Sequence, residues 1–207
     1  MPRPRVYDLD SVLDAAEALA SGAGPAAVTT RSVAAEAGVS NGAIYHNFGS
    51  RSELLARTWL RAARRFLSVQ TELVDEVLAD PAVDPREAVV AAADAPVVFS
   101  QRWPRSGPLL LQIPRDQLLD ADLPEPVAAE LVALDHLLIA LMKRLSMQLW
   151  DRRDRAAIDA ITICIVDLPT SIILSRNRIA DVWARARLKA AVRAVLAEEP
   201  TKPRSRT

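Results

Sequence analysis

Cysteine and histidine are almost absent from this chain of 207 residues, which has one cysteine, Cys164, and two histidines, His46 and His136. A single cysteine cannot form a disulfide or a CxxC motif within the chain, and two histidines argue against a zinc site. No motif places a nucleophile, a base and an orienting group at a recognised spacing. We therefore predict no metal, no cofactor and no enzymatic activity.

A net charge is also absent, because 26 basic residues balance 26 acidic ones. A neutral chain is unlike a protein that binds nucleic acid through charge alone. No stretch approaches the roughly 18 apolar residues of a membrane span. The N-terminus lacks the apolar core of a signal peptide. These absences predict a cytoplasmic protein without a membrane partner.

Glycine is scarce, with 6 residues, whereas 50% of the residues are hydrophobic, and this composition favours helices over disorder. Apolar residues recur three or four positions apart over residues 125–150, after Asp154, and over residues 179–196. Asp84-Pro85 starts a further helix, which Pro96 is expected to bend or interrupt, and Pro169 is expected to kink the helix that follows Asp154. We therefore predict an all-α fold.

The most informative stretch covers residues 29–55. Thr29 or Thr30 can cap one helix, Gly38 can take the positive φ that ends it, and the Ser40 hydroxyl can cap the next helix. A short turn that contains glycine is typical of a helix-turn-helix. The stretch therefore predicts a motif that binds DNA.

Two further helices flank this motif. One opens near Asp8 or Asp10, and the other begins with a capping box at residues 50–53 and ends at about Phe66. Before the first helix, residues 3–5 (Arg-Pro-Arg) suit either an arm that reaches into a minor groove or a solvated tail. The N-terminal part is thus a three-helix domain from which a fourth helix leads out.

The second helix of the motif has an apolar face and a polar face. Ile44 and Phe48 fall on one side, whereas His46 points nearly the opposite way among small residues. Small residues let a helix backbone enter the major groove, where His46 is suited to a base or a phosphate and Ala43 to a thymine methyl group. The Ser40 and Tyr45 hydroxyl groups and the Arg51 guanidinium group are suited to phosphates. The predicted DNA-binding residues are Thr29, Thr30, Ser40, Asn41, Gly42, Ala43, Tyr45, His46 and Arg51.

This stretch resembles the DNA-binding core of the tetracycline-repressor-like (TetR) family, whose pattern is approximately T-x-x-x-I-A-x-x-A-G-V-S-x-G-x-x-Y-x-x-F-x-S-K-x-x-L. The matching residues are Thr30, Val33, Ala34, Ala37, Gly38, Val39, Ser40, Gly42, Tyr45, Phe48, Ser50 and Leu54. Two positions depart from the pattern. Val33 replaces an isoleucine, which only trims the core, and Arg51 replaces a lysine but keeps the charge for a phosphate contact.

The resemblance implies a transcriptional regulator, in most cases a repressor, that binds a pseudo-palindromic operator in double-stranded DNA as a homodimer. In this family the last two long helices form a four-helix bundle with the partner subunit, and a small molecule that enters the C-terminal domain moves the fourth helix. On this basis residues 1–50 are the helix-turn-helix domain, residues 51–197 the effector-binding and dimerisation domain, and residues 198–207 a disordered tail.

The identity of an effector is not encoded in any motif. The segment over residues 99–124 is broken by prolines and can either wall a cavity or simply pack. Aromatic and apolar groups with few charges line small-molecule sites, so an apolar or amphipathic effector is expected. The predicted ligand-binding residues are Phe99, Trp103, Leu110, Met142, Trp150 and Thr162. Two alternatives remain open: a dimeric DNA-binding regulator with no small-molecule effector, and a helical-domain enzyme.

Overall fold

The structure, a computed structural model, describes residues 8–112, Leu118 and residues 122–201. The regular elements of this part are helices, without any strand, which confirms the predicted all-α fold. The chain divides into two compact units. The first unit contains the described residues of Met1–Arg64 and Trp103–Leu134, and the second unit contains those of Arg65–Arg102 and Asp135–Thr207.

The helices are numbered here in chain order. They are α1 (Leu9–Ala23), α2 (Thr30–Ala37), α3 (Asn41–Phe48), α4 (Arg51–Leu78), α5 (Arg86–Arg102), α6 (Ser106–Gln112), α7 (Glu125–Trp150), α8 (Arg155–Leu174) and α9 (Val182–Leu196). A short 3-10 turn, Pro25–Ala27, lies between α1 and α2.

Several helix boundaries lie where the sequence places capping groups. Asp8 caps α1, and the Asp154 carboxylate accepts hydrogen bonds from the first amides of α8, so both predicted starts are confirmed. Helix α7 has the predicted bounds. Helix α9 begins at Val182 instead of residue 179, because the Asp181 side chain accepts the amides that open it.

Helix α4 is longer than predicted. It does not end near Phe66 but continues to Leu78. The extension carries Val69, Gln70 and Val74, all of which are buried, so packing of this face continues past the predicted end. Tertiary burial therefore sets the length of this helix.

The predicted interruption of α5 at Pro96 was wrong, because the helix is continuous from Arg86 to Arg102. Proline has no amide hydrogen, so the carbonyl of Ala92, four residues earlier, loses its helical donor. The Nε2 of Gln70 on α4 donates to that carbonyl at 3.0 Å. A side chain from another helix thus replaces the hydrogen bond that proline removes.

Pro169 lies inside α8, where the backbone changes its hydrogen-bond pattern. The helix is α-helical over Arg155–Thr162, whereas Ile163–Asp167 and Thr170–Leu174 on the two sides of Pro169 are π-helical. A wider turn accommodates the missing amide without ending the helix.

The first unit does not coincide with the predicted domain at residues 1–50. Helix α1 packs against α2 and α6, and α2 packs against α3. Arg61 of α4 donates to the carboxylates of Asp14 and Glu17 on α1 at 2.7 and 3.1 Å, and Glu17 accepts a hydrogen bond from Ser106 Oγ at 2.7 Å. The three-helix domain is therefore held to the start of α4 and to α6 by polar contacts that centre on the buried Glu17.

The second unit has its own apolar core. Helix α5 packs against α9 and against the π-helical segment Ile163–Asp167 of α8. Helices α7, α8 and α9 contribute large, completely buried side chains to this core. They are Leu145, Ile161, Ile173, Leu188 and Leu196. Of the predicted C-terminal tail, residues 202–207 lie outside the described part of the chain.

The expectation that no stretch resembles a membrane span needs correction. Among the described residues, one helix, Arg155–Leu174, is long and apolar enough to cross a membrane by length and composition alone. Ile161, Cys164, Ile165 and Ile173 of this helix are buried in the core of the second unit. Core helices of soluble proteins share this length and composition, so the stretch is weak evidence for a membrane span.

Candidate nucleic-acid interface

The turn between α2 and α3 has the geometry that the sequence predicts. Gly38 ends α2 in the left-handed conformation with φ of 66°, and its amide donates to Ala34 and Ala35. The amide of Val39 also donates to the Ala34 carbonyl, at 2.9 Å. The Ser40 hydroxyl then accepts the Ala43 amide at 3.1 Å and starts α3. The two helices are thus joined by a turn whose backbone groups are paired within it.

Helix α3 is held by one face and exposed on the other. Ile44 and Phe48 are buried, as predicted. The side chains on the opposite face, including those of Tyr45 and His46, are exposed to solvent. Tyr45 has 56% of its surface exposed, which is unusual for an aromatic residue that serves only to pack. This face therefore presents aromatic, imidazole and amide groups outside the core.

The start of α2 lies beside this face. Thr29 caps α2 in a reciprocal capping box with Ser32, whose hydroxyl lies 2.8 Å from the Thr29 hydroxyl. The Thr30 hydroxyl donates to the Tyr45 hydroxyl at 3.5 Å, which brings two of the predicted DNA-binding residues together. The hydroxyl of Thr29 is engaged in capping, so a contact of this hydroxyl with DNA would compete with its structural role.

Arg51 has a role that the sequence did not reveal. Its Nε donates to the carbonyl of Val28 at 2.6 Å and its Nη2 donates to the carbonyl of Pro25 at 2.8 Å. The guanidinium group thus ties the start of α4 to the segment that precedes α2. The predicted contact of Arg51 with phosphate remains a proposal, and only donors left over from these two bonds can make it.

Replacing Arg51 separates these two roles. Arg51→Ala is expected to lower the free energy of unfolding by about 1.5 kcal/mol, because it removes two charge-assisted hydrogen bonds. Because it also removes a proposed phosphate contact, it is expected to weaken binding to all DNA sequences alike and to reduce the salt dependence of that binding. Arg51→Lys keeps the charge but not the planar fork. If the lysine variant is as stable as wild type, the tethering role is refuted; if the alanine variant keeps the wild-type salt dependence, the phosphate role is refuted. Urea unfolding and DNA titrations at two salt concentrations measure both.

Two exposed residues of this region were missed in the sequence prediction. Arg31 lies in the first turn of α2 and Asn47 lies next to His46 on α3, and both are exposed. Asn47 Nδ2 donates to the Ala43 carbonyl at 2.7 Å, within its own helix. Arg31 could have been predicted from its position shortly after the Thr29 cap, because a basic residue in the first turn of a helix is suited to bind phosphate.

The predicted N-terminal arm lies outside the described residues. The single cysteine lies in the core of the second unit. Burial raises the pKa of the Cys164 thiol to about 12, so the thiol is protonated and a poor nucleophile at neutral pH. In the same part of the chain, no three His, Cys, Asp or Glu side chains are grouped closely enough to hold a metal ion.

The predicted effector residues are divided between the two units. Phe99, Met142, Trp150 and Thr162 belong to the second unit, whereas Trp103 and Leu110 belong to the first. Within the second unit, the Thr162 hydroxyl lies 3.5 Å from Met142 Sδ. Trp150 packs against the same core as Met142. Phe99 is buried and makes an edge contact with Phe66 at 5.5 Å between ring centroids.

Helix α3 is capped, buries an apolar face and exposes a polar face, and a glycine turn joins it to α2. These features define a helix-turn-helix DNA-binding protein. Residues 12–58 match the model of a family described as bacterial regulatory proteins, tetR family. These residues are therefore similar to the N-terminal domain of TetR-family transcriptional regulators, as the sequence resemblance predicts. A comparison with curated protein sequences found no match.

Solved structures share the fold over nearly the whole chain. A TetR-like transcriptional regulator from Rhodococcus sp. is 20% identical with a TM-score of 0.66, over 96% of this chain and 100% of that chain. A TetR-family transcriptional regulator from Streptomyces coelicolor is 24% identical with a TM-score of 0.61, over 91% and 97%. The multidrug binding protein EbrR, complexed with imidazole, is 17% identical with a TM-score of 0.60 and covers 100% of both chains.

Proposed function

We propose that the protein is a homodimeric, sequence-specific DNA-binding regulator in the cytoplasm, a repressor that a small molecule releases from a pseudo-palindromic operator. The observation that carries the proposal is α3, whose core face is buried while Gly42, Tyr45 and His46 stand exposed beside the start of α2. A helix presented in this way can enter the major groove with its small residues toward the bases. Proteins of this family are generally not enzymes, and we propose no catalytic role.

Exposed apolar side chains support association with a second copy. Leu137 and Ile139 on α7 and Ile163 on α8 are large, apolar and exposed in the single chain. Scattered apolar residues are common at protein surfaces, but helices apolar on more than one side are typical of buried positions. With a two-fold axis, the two recognition helices would read half-sites separated by roughly 34 Å or a multiple of that distance.

The effector is proposed to be an apolar or amphipathic small molecule bound in the second unit. The solved structure of EbrR is that of a multidrug binding protein with a bound imidazole, which supports ligand binding as a use of this fold. A complete shift from DNA-bound to free protein requires about 5.5 kcal/mol of differential affinity of the ligand for the two states. Partial release of the operator is therefore sufficient to support the proposal.

A regulator without an effector is the second candidate. Phe99 and Met142, two of the predicted ligand-binding residues, have only 2% and 5% of their surfaces exposed. Side chains that are already buried within the protein favour regulation by abundance alone. A ligand that stabilises the protein against heat and releases operator DNA would exclude this candidate.

Selection of bound sequences from random duplex DNA, at two salt concentrations, tests the proposal. A specific regulator is expected to recover a pseudo-palindrome whose half-sites are about one helical turn, or a multiple of it, apart. A consensus without two-fold symmetry would contradict the homodimer. Binding that depends on salt but recovers no consensus would contradict sequence-specific recognition, since contacts to phosphates alone carry no sequence information.

The same selection assigns the residues that read bases. His46→Ala and Ala43→Ser are each expected to relax the preference at particular positions of each half-site, by about 1 to 3 kcal/mol at a base pair that is read directly. Tyr45→Phe is the matched control, because removing a hydroxyl that binds phosphate from the same helix should weaken binding at all sequences equally. An unchanged consensus for His46→Ala and Ala43→Ser would show that sequence is read by other residues.

A further inference from the structure

One side chain in the core of the second unit is polar and only half satisfied. Gln70 on α4 has none of its surface exposed. Its Nε2 donates to the Ala92 carbonyl at 3.0 Å, whereas its Oε1 has no hydrogen-bond partner among the described residues. A buried amide oxygen without a donor is costly, so its presence calls for a reason.

The orientation of the amide is determined by Pro96. Because Pro96 has no amide hydrogen, the Ala92 carbonyl receives no donor from its own helix, and only the nitrogen of the Gln70 amide can supply one. A flipped amide would place two acceptors against each other. Gln70 must therefore present Oε1 on the other side of its amide group, as an acceptor.

The residues one turn before and after Gln70 on its face of α4 are apolar. Phe66 and Val74 lie four residues before and after it, on the same face of α4. Val74 is fully buried, and the ring of Phe66 packs edge-on against Phe99 of α5. An acceptor among such groups selects a ligand through one directed hydrogen bond, with apolar contacts around it.

We propose that Gln70 Oε1 is the polar anchor of an effector site between α4 and α5, and that its ligand is a neutral, mainly apolar molecule with a hydroxyl or N–H donor. The inference rests on the proposed function, since it names the chemical class of the effector. An anionic carboxylate has no proton to donate and repels the amide oxygen. A cation requires a counter-charge, and Asp94, a buried carboxylate of α5, is already paired with Arg185 and Lys189.

The binding of matched probes to the full chain tests this inference. The probes are n-octanol and n-decanol, methyl ethers with the same number of heavy atoms, and the octanoate and decanoate anions, each titrated by calorimetry. Each alcohol is expected to bind about tenfold more tightly than its ether, because only the alcohol can donate to Oε1. The carboxylates are expected to bind more weakly than the alcohols. Equal binding of alcohol and ether, or no binding by any probe, would overturn the inference.

Variants must remove Oε1 without exposing the Ala92 carbonyl. Pro96→Ala restores an amide hydrogen in α5, so the Ala92 carbonyl has a helical donor and Gln70 is no longer needed there. In the single variant Pro96→Ala, the second lone pair of the Ala92 carbonyl can still accept Gln70 Nε2, so the tenfold preference for alcohols is expected to persist. The double variant with Gln70→Met is expected to lose this preference. A preference that survives in the double variant, confirmed as folded by circular dichroism, would refute the role of Gln70.

Operator binding by the same variants, measured without any probe, keeps this inference separate from the proposed function. If the operator is bound but alcohols and ethers bind alike, the inference fails and the regulator stands. If alcohols bind through Gln70 but no operator is recovered, the site is real and the proposed function is refuted. An ordered water that stays on Oε1 in crystals grown with n-octanol would also overturn the inference.

Discussion

Gly42→Ala is expected to weaken binding to the selected operator by about 2 kcal/mol, roughly thirtyfold, while the protein remains as stable as wild type. A Cβ atom at this position meets only Ser40 Oγ, at 3.8 Å, which is ordinary van der Waals contact. Alanine also favours a helix over glycine. The methyl group lies on the exposed side of α3, so its cost arises only when the helix backbone approaches the base edges. Fluorescence anisotropy with the operator and thermal unfolding measure the two quantities.

Gly22→Ala is the matched control for this substitution. Gly22 is also an exposed helical glycine, in the last turn of α1, and a Cβ atom there meets nothing within 4 Å. It lies outside the helix-turn-helix, so its operator affinity is expected to equal that of wild type. Unchanged affinity for Gly42→Ala would mean that the backbone of α3 does not approach the DNA closely, and the proposed docking would be wrong.

Asp94→Asn is expected to lower the free energy of unfolding at neutral pH by about 2 to 3 kcal/mol, because it leaves two partly buried cations without their buried counter-charge. The Asp94 side chain is 7% exposed and binds Arg185 through two hydrogen bonds of 2.7 and 2.6 Å, with Lys189 Nζ at 2.9 Å. Arg185 and Lys189 remain about one third exposed, which limits the loss. Urea unfolding measures the difference.

Glu87→Gln supplies the control for Asp94→Asn. Glu87 pairs with Arg193 through two hydrogen bonds of 2.7 Å and links the same two helices, but its side chain is 37% exposed. An exposed pair contributes about 0 to 1 kcal/mol, so Glu87→Gln is expected to have a small effect. Equal losses for both variants would show that burial of Asp94 does not decide the contribution.

The effect of Asp94→Asn is expected to depend on pH in a defined direction. Burial favours the neutral acid, but hydrogen bonds from Arg185 and Lys189 and their charges outweigh it and hold the pKa of Asp94 below its ordinary value. A carboxyl group with a depressed pKa stabilises the folded state above its unfolded pKa, about 4. The difference between wild type and Asp94→Asn should therefore be complete at neutral pH and shrink as the pH falls below about 4. A difference that is constant down to about pH 2 would contradict the charge pairing.

Local sequence was sufficient to predict the helix-turn-helix. The caps at Thr29 and Ser40 and the left-handed Gly38 depend on residues a few positions apart, so their chemistry can be read along the chain. The buried Ile44 and Phe48 followed from helical periodicity for the same reason. Arg51 shows the limit of this approach, since its partners Val28 and Pro25 lie more than twenty residues away in sequence.

The sequence by itself determined the all-α fold, the caps of α1 and α8, the bounds of α7 and the residues that α3 exposes, because each depends on periodicity or on contacts within one turn. The tertiary structure decided the length of α4, the continuity of α5 through Pro96 and the grouping of α6 with the three-helix domain. These features arise from contacts between residues distant in sequence, such as Gln70 with Ala92, whose energies outweigh local propensity.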